Sequence, residues 1–302
     1  MSKILLTGAS GFIGTHVRKA LHEAGHEIIS LVRTSGGAMA PYPGETFLTG
    51  TLAEAGALEQ SLSGITMDAC VHLAWEGIPD YSSEPSIKNM EYGFRVLRLC
   101  KQMEIKKLVI SGSCWEYEKP SGMISENAPL SYENPFKTAK NTLHTIAEMF
   151  CRENGIAVHW LRLFYVYGEG QRPGSLIPYV VRELRCGVCP VLGGAFNQND
   201  FVHVSDVAQA VCKSLDSMEG EPSCGTFNIG SGQAVRVLDV VAAAARILQA
   251  NIDLTPYEPS GVGAPPFWAD IRAAKERLGW EPRVSLEEGL ERYIRFSKRE
   301  SI

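Results

Sequence analysis

The sequence has 302 residues, 45% of them hydrophobic, and a formal net charge of −5, enough chain for one large domain or a large and a small one around a proper core. Acidic and basic residues are interspersed, so no basic stripe offers itself to a nucleic-acid backbone, and no apolar stretch approaches the length of a membrane span. The start also lacks the charged head and long apolar segment of a secretory signal, so the expectation is a cytoplasmic protein without nucleic-acid or membrane partners.

Ile4, Leu5 and Leu6 form a continuous apolar run, which predicts a strand over 3–7 covered on both faces. It leads into Thr7, Gly8, Ala9, Ser10, Gly11, Phe12, Ile13 and Gly14. Gly8 permits a tight turn, Gly11 lets the backbone approach a pyrophosphate, and Gly14 lets the following helix pack against the strand. That helix carries Phe12, Ile13, Val17, Ala20 and Leu21 at amphipathic spacing and would turn its unpaired N–H groups toward phosphates. Strand, glycine turn and helix in this order predict a dinucleotide cradle.

Further strand-like runs at 27–32, 46–49, 69–74, 107–111 and 157–163 alternate with amphipathic segments, the signature of parallel βαβ units. Helices are predicted over 85–103 and 136–153, the latter with Leu143, Ile146, Ala147 and Phe150 on one face. Beyond about residue 165 glycine and proline become denser, as in 168–174 and 256–266, which suits a smaller substrate lobe. The expected fold is therefore α/β, a Rossmann-like doubly wound parallel sheet with a smaller α/β C-terminal lobe. Its division is 1–165 for the nucleotide, with segments near 199–217 returning to it, and 166–302 mostly for the substrate. No internal repeat or low-complexity tract interrupts this pattern.

The eight cysteines lack the dense spacing of a disulfide scaffold and are expected mostly as buried thiols. Cys186-Gly-Val-Cys189 has redox or zinc spacing but no second pair, and Pro190 follows it, so it reads as structural. His72 and His203 lie in apolar strand patterns and read as packed histidines rather than metal ligands.

The Thr-Gly-x-x-Gly-x-x-Gly loop, with glycines one residue wider than in the standard dehydrogenase fingerprint, resembles the extended short-chain dehydrogenase/reductase superfamily. The likeness is to its NAD(P)-dependent epimerase/dehydratase branch, which acts on nucleotide sugars. It continues along nearly the whole chain through Val71-His-Leu-Ala-Trp75, Asn89 at the opening of a helix, Val109-Ile-Ser-Gly-Ser-Cys-Trp-Glu-Tyr117 and Arg162-Leu-Phe-Tyr-Val-Tyr-Gly168. Asn199-Asp-Phe-Val-His-Val-Ser-Asp206, Phe227-Asn-Ile-Gly-Ser-Gly232 and Leu278-Gly-Trp-Glu-Pro282 follow. The resemblance implies a cofactor held by Thr7, Gly8, Ser10, Gly11, Phe12, Ile13, Gly14, Arg33, Thr51, Leu52, Leu73, Ala74, Trp75, Asn89 and Lys140.

An acidic residue closing the second strand would accept hydrogen bonds from the adenosine ribose and repel a 2′-phosphate. This chain has Val32 and Arg33 there, so the resemblance favours NADP(H); with Arg33 as a solvated loop residue, NAD(H) is the alternative. Thr51 stands where the family often has an aspartate.

The family's acid–base pair is a tyrosine four residues before a lysine, on one face of a helix. In Pro135-Phe-Lys-Thr-Ala-Lys140 the lysine is present and the tyrosine position is Phe136. Three explanations compete: an engineered replacement; a natural residue with Tyr132, Tyr117, Tyr165 or water carrying the proton; or a binding protein that lost the chemistry. Ser113 would polarise the reacting sugar oxygen. Ser113, Cys114, Trp115, Tyr165 and Arg172 are the implied substrate contacts, with Leu176 and Pro178 nearby. Cys114 and Trp115 replace the acidic pair of dehydratases, which argues against 4,6-dehydration. Tyr165 and Asn199 depart from the family's asparagine and arginine.

The first functional expectation is an NADP(H)-dependent reductase of a 4-keto-6-deoxy nucleotide sugar. The alternatives are an NAD-dependent nucleotide-sugar 4-epimerase and a catalytically silent nucleotide-binding regulator. The partner is a nucleoside-diphosphate sugar, and the resemblance implies a homodimer through 85–103 and 136–153, faces that the sheet could equally satisfy.

Overall fold

The computed structural model describes residues 1–33, 39–218, 223–254, 257 and 265–299. β1 (Lys3–Thr7), α1 (Phe12–Glu23), β2 (Glu27–Val32), β3 (Glu45–Thr49), α2 (Ala55–Leu62), β4 (Ala69–His72), α3 (Ser83–Gln102) and β5 (Lys107–Ser113) form the first half. After a short 3₁₀ turn, Cys114–Glu116, come β6 (Gly122–Ile124), α4 (Pro135–Glu153), β7 (Ala157–Leu163) and β8 (Tyr165–Tyr167). The remainder holds α5 (Leu176–Arg185), β9 (Gln198–Asn199), β10 (Phe201–His203), α6 (Val204–Ser217), β11 (Cys224–Ile229), β12 (Val235–Arg236), α7 (Val237–Leu248), β13 (Phe267–Ala269), a π-type turn at Ala274–Leu278 and α8 (Leu286–Arg299).

Seven strands form one sheet in the order β11-β7-β5-β4-β1-β2-β3, with parallel pairing throughout. The apolar run of β1 now has its reason: Ile4 and Leu6 pack with α1 and α6, while Leu5 packs on the opposite face with residues of α2, α3 and α4. Alternate residues of a strand face opposite sides, so a strand covered twice must be apolar throughout. Strand order reverses between β1 and β4, and the carboxyl ends of these strands open the crevice where ligands bind in such sheets.

A second core gathers Tyr167, Ile177, Val181, Phe201, Val237, Val240, Leu290 and Tyr293 beside the sheet. The chain crosses back before completing it: α6 packs on α1, β11 becomes the edge strand next to β7, and Ala274, Leu278 and Trp280 join the nucleotide-side core. Cys70, Cys100, Cys114, Cys151 and Cys212 are buried thiols, Cys189 and Cys224 are half-buried, and Cys186 is exposed. Among the described residues no helix is long and apolar enough to cross a membrane. The glycine- and proline-rich stretch 256–266 lies largely outside the described residues.

Candidate active site

Two adjoining cavities, of about 200 Å³ and about 700 Å³, share Gly8, Gly11, Leu73 and Trp75 at the crevice. The glycine turn is built at separations that side chains would not allow. Gly8 has φ +76°, and a Cβ there would lie 2.7 Å from Ala74 N; one at Gly14 would fall 2.0 Å from Gly8 O. Gly11 N donates to Gly8 O at 2.9 Å, and α1 starts without a side-chain cap or an acidic residue in its first turn. Its N–H groups and dipole are thus left for an anion, and the cradle fits a dinucleotide pyrophosphate.

The smaller cavity continues from the glycines to an apolar end lined by Leu31, Leu52 and Tyr92, suited to a base. Thr7, Ser10, Arg33, Gly50, Thr51, Ala74 and Glu76 complete its lining. Here the structure adds a neighbour of Arg33 that the sequence does not show. Glu76, from the loop after β4, brings its carboxylate to 3.3 Å from Arg33 Nη1 and 2.9 Å from Lys88 Nζ. Arg33 already has an anionic partner, and that partner lies 43 residues away in sequence.

The larger cavity holds Phe12, Ile13, Gly14, Ser113, Trp115, Phe136, Lys140, Tyr165 and Arg172 together. Asn134 caps α4 by accepting from Lys137 N at 2.9 Å, Pro135 opens it, and Phe136 and Lys140 then project one turn apart. Lys140 is 5% exposed; its Nζ donates to Ser111 O at 2.7 Å and lies 3.8 Å from the centroid of the Trp75 ring. Burial lowers its pKa to about 8 against the opposing pull of Glu116. Phe136 is buried in an aromatic cluster, with ring centroids 5.4 Å from Trp75, 5.1 Å from Tyr81 and 6.4 Å from Trp115.

Ser113 ends β5. Its N–H donates to Glu116 Oε1 at 2.7 Å and its Oγ accepts from Trp115 N at 3.2 Å, which leaves the hydroxyl proton to be donated elsewhere. Glu116 is fully buried and also accepts from Arg162 Nε at 2.7 Å and Trp160 Nε1 at 3.0 Å. Arg162 reaches on to Tyr117 Oη and Glu126 O. This buried ion pair forms a floor beneath Ser113. Thr7 Oγ1 and His72 Nδ1 lie 2.7 Å apart at the strand ends, and burial with Lys140 nearby pushes the His72 pKa down to about 3, so its ring is neutral.

Two predicted contacts do not reach the cavities. Asn89 lies within α3 rather than opening it; its amide accepts from Glu76 N at 2.7 Å and donates to Glu76 O and Pro85 O. Cys114 turns into a core with Tyr117, Ile124, Phe164 and Ala269, and burial drives its thiol pKa up. Of the tyrosines considered for the proton, Tyr117 is buried and donates to Asn228 Oδ1, and Tyr132 is exposed outside both cavities. Tyr165 lines the larger cavity, as does Tyr81, which the sequence reading missed. Glu76, Tyr81 and Tyr92 carry no spacing signal; the first two ride on the loop between β4 and α3.

A glycine cradle at the strand crossover, running into a cavity with a buried lysine and a strand-end serine, defines a dinucleotide-dependent oxidoreductase scaffold. The model of the NAD dependent epimerase/dehydratase family matches residues 4–230, and the chain belongs to that family. It is 29% identical over 321 residues to an uncharacterized UDP-glucose epimerase of Bacillus subtilis (strain 168), covering 97% of each chain. A UDP-glucose 4-epimerase from Thermotoga maritima, crystallised with UDP-glucose, superposes with a TM-score of 0.86 at 25% identity, covering 99% of this chain and 100% of that one. MoeE5, solved with UDP-glucose and NAD, superposes with a TM-score of 0.82 at 27% identity, over 99% and 100%.

Proposed function

We propose that this chain is an NAD-dependent nucleotide-sugar 4-epimerase, with residues 1–165 and the returning segments holding the nucleotide cofactor and 166–302 supplying most of the sugar-nucleotide contacts. The observation that carries the proposal is the gathering of Ser113, Lys140 and Arg172 around one cavity that continues into the glycine cradle. The relatives named above support the epimerase over a 4-keto-6-deoxy reductase, and the Arg33–Glu76 pair removes the reason for preferring NADP(H).

NAD supplies the hydride acceptor in one half of such a reaction and the donor in the other. Ser113 Oγ–H donates to the sugar O4, and Lys140 holds its ammonium where a cofactor ribose would lie. Arg172, on the loop before α5, pairs with a diphosphate oxygen, while Leu176 and Phe201 offer an apolar wall. Phe136 can neither accept nor release the O4 proton. The phenols that line the cavity instead are Tyr81, Tyr165 and Tyr167; burial pushes Tyr165 up to about 12 and raises Tyr167 as well, which makes both poor bases near neutrality. Turnover is therefore slow.

The test is a panel of nucleotide sugars assayed with the chain and with Phe136→Tyr. Interconversion of 4-epimers without net cofactor change supports the epimerase; net oxidation of NADPH by a 4-keto nucleotide sugar supports the reductase instead. Phe136 also favours a second reading, a protein that binds cofactor and sugar without turnover. That reading gains if NAD⁺ binds and Phe136→Tyr gives no turnover of any sugar.

A further inference from the structure

The sequence alone places an arginine where a ribose-binding carboxylate is expected, and the structure supplies a carboxylate from elsewhere. Glu76 lines the smaller cavity together with the glycine turn, where phosphates fit, and with Leu31, Leu52 and Tyr92, where a base fits. It pairs there with Arg33, the residue that follows β2, and the end of the second strand is where such a fold meets the adenosine ribose. We infer that Glu76 is the residue that selects NAD over NADP: its carboxylate accepts the ribose 2′-hydroxyl and keeps Arg33 and Lys88 from pairing with a 2′-phosphate. This rests on the reading of the cradle as a dinucleotide site.

Three features make Glu76 a fixed group rather than a passing surface contact. Its backbone is clamped by Asn89, which is 1% exposed and uses both ends of its amide on the Glu76 N–H and C=O. One carboxylate oxygen faces Arg33 Nη1 at 3.3 Å, and the other faces Lys88 Nζ at 2.9 Å. Finally, the side chain is 30% exposed, so part of it is open to a ligand and the rest is covered by the protein. A 2′-phosphate brought to Arg33 would meet a carboxylate already paired with Arg33 Nη1, with like charges close together. A 2′-hydroxyl needs only an acceptor, which the carboxylate offers without losing its cations. Removing the carboxylate charge frees two cations at once, so its loss should do more than weaken NAD binding. It should convert the pocket toward phosphate recognition.

Calorimetric titration of the full chain with NAD⁺ and NADP⁺ tests this, in parallel with Glu76→Gln and Asn89→Ala, with folding checked by circular dichroism. The expected result is that the parent chain prefers NAD⁺ and that Glu76→Gln shifts the Kd ratio toward NADP⁺ by roughly tenfold or more, largely through tighter NADP⁺ binding. Asn89→Ala, if folded, should shift the ratio in the same direction, because the clamp is lost while every charge remains. A parent chain that prefers NADP⁺, or a Glu76→Gln ratio unchanged from the parent, overturns the assignment. If neither dinucleotide binds a folded parent chain, the cradle reading falls and this inference with it.

Discussion

Lys140 carries its ammonium into a space closed by the Trp75 and Trp160 rings and the Ser111 carbonyl, and burial costs it some of its basicity. With a folded pKa of about 8 against the ordinary 10.5, the unfolded chain holds a proton between these values that the folded chain has lost. The folded state is therefore penalised below about pH 8, and the penalty is relieved as pH rises toward 10.5. Lys140→Met should abolish that rise: in denaturant titrations from pH 7 to 10.5 the parent should gain stability relative to the variant, by up to on the order of 3 kcal/mol. A parallel pH dependence would refute the buried-charge account. Glu116 acts one step behind the cavity. Glu116→Ala would leave Arg162 buried without its anion and loosen the Ser113 backbone, a loss of about 3–5 kcal/mol readable by urea unfolding. At this scale Phe136 and Lys140 were picked out by the resemblance to the family's tyrosine–lysine pair, and α4, which puts positions four apart on one face, brings both to the larger cavity. Glu76 and Tyr81 were not, since a loop after β4 carries them to the site by a path that no periodicity encodes.

The turn between β1 and α1 is the element to which the proposed function assigns the cofactor's pyrophosphate. Gly14→Ala would need the Gly8 carbonyl to retreat from a Cβ only 2.0 Å away, which separates helix from strand. The expected outcome is loss of measurable NAD⁺ binding with a drop in stability of about 1–3 kcal/mol, checked by calorimetry and thermal unfolding. Retained NAD⁺ affinity would show that the turn is not the cradle. This element was fully legible, since an apolar run, three glycines and an amphipathic helix are local signals. The run at 69–74 was legible only in part: β4 ends at His72, and Leu73 and Ala74 bend toward Thr7, with Leu73 N donating to Thr7 O and Ala74 N to Thr7 Oγ1. The bonds of Asn89 to the Glu76 backbone were not legible, because they depend on a loop conformation that the sequence does not encode locally. β11, Cys224–Ile229, was missed as a sheet strand; it returns to the sheet late in the chain, and only its long-range pairing with β7 identifies it.

Across the whole molecule, the later chain is fastened to the earlier by buried polar groups. Asp200 is fully buried and accepts from Ser231 N, Ser231 Oγ, Gly232 N and Ala269 N, tying the residues after β11 and those of β13 to the start of β10. Asp200→Ala would leave these donors without their acceptor, and a lowered, less cooperative thermal transition is expected. Such long-range ties are invisible to a sequence read in windows, which is why the alternating first half was the easier part to anticipate. We propose that two copies associate through α3 and α4, where Ile87, Ile146 and Met149 are 50%, 40% and 52% exposed; sedimentation should give twice the chain mass, and a monomer would refute it. Catalysis is the property in which cradle, cavity and missing phenol meet. Its most direct test is the rate at which the chain and Phe136→Tyr interconvert 4-epimeric nucleotide sugars from that panel with NAD⁺ present. The account predicts slow turnover by the parent and a gain of at least about a hundredfold in the variant, without net NADH formation. Equal rates in the two proteins would contradict it.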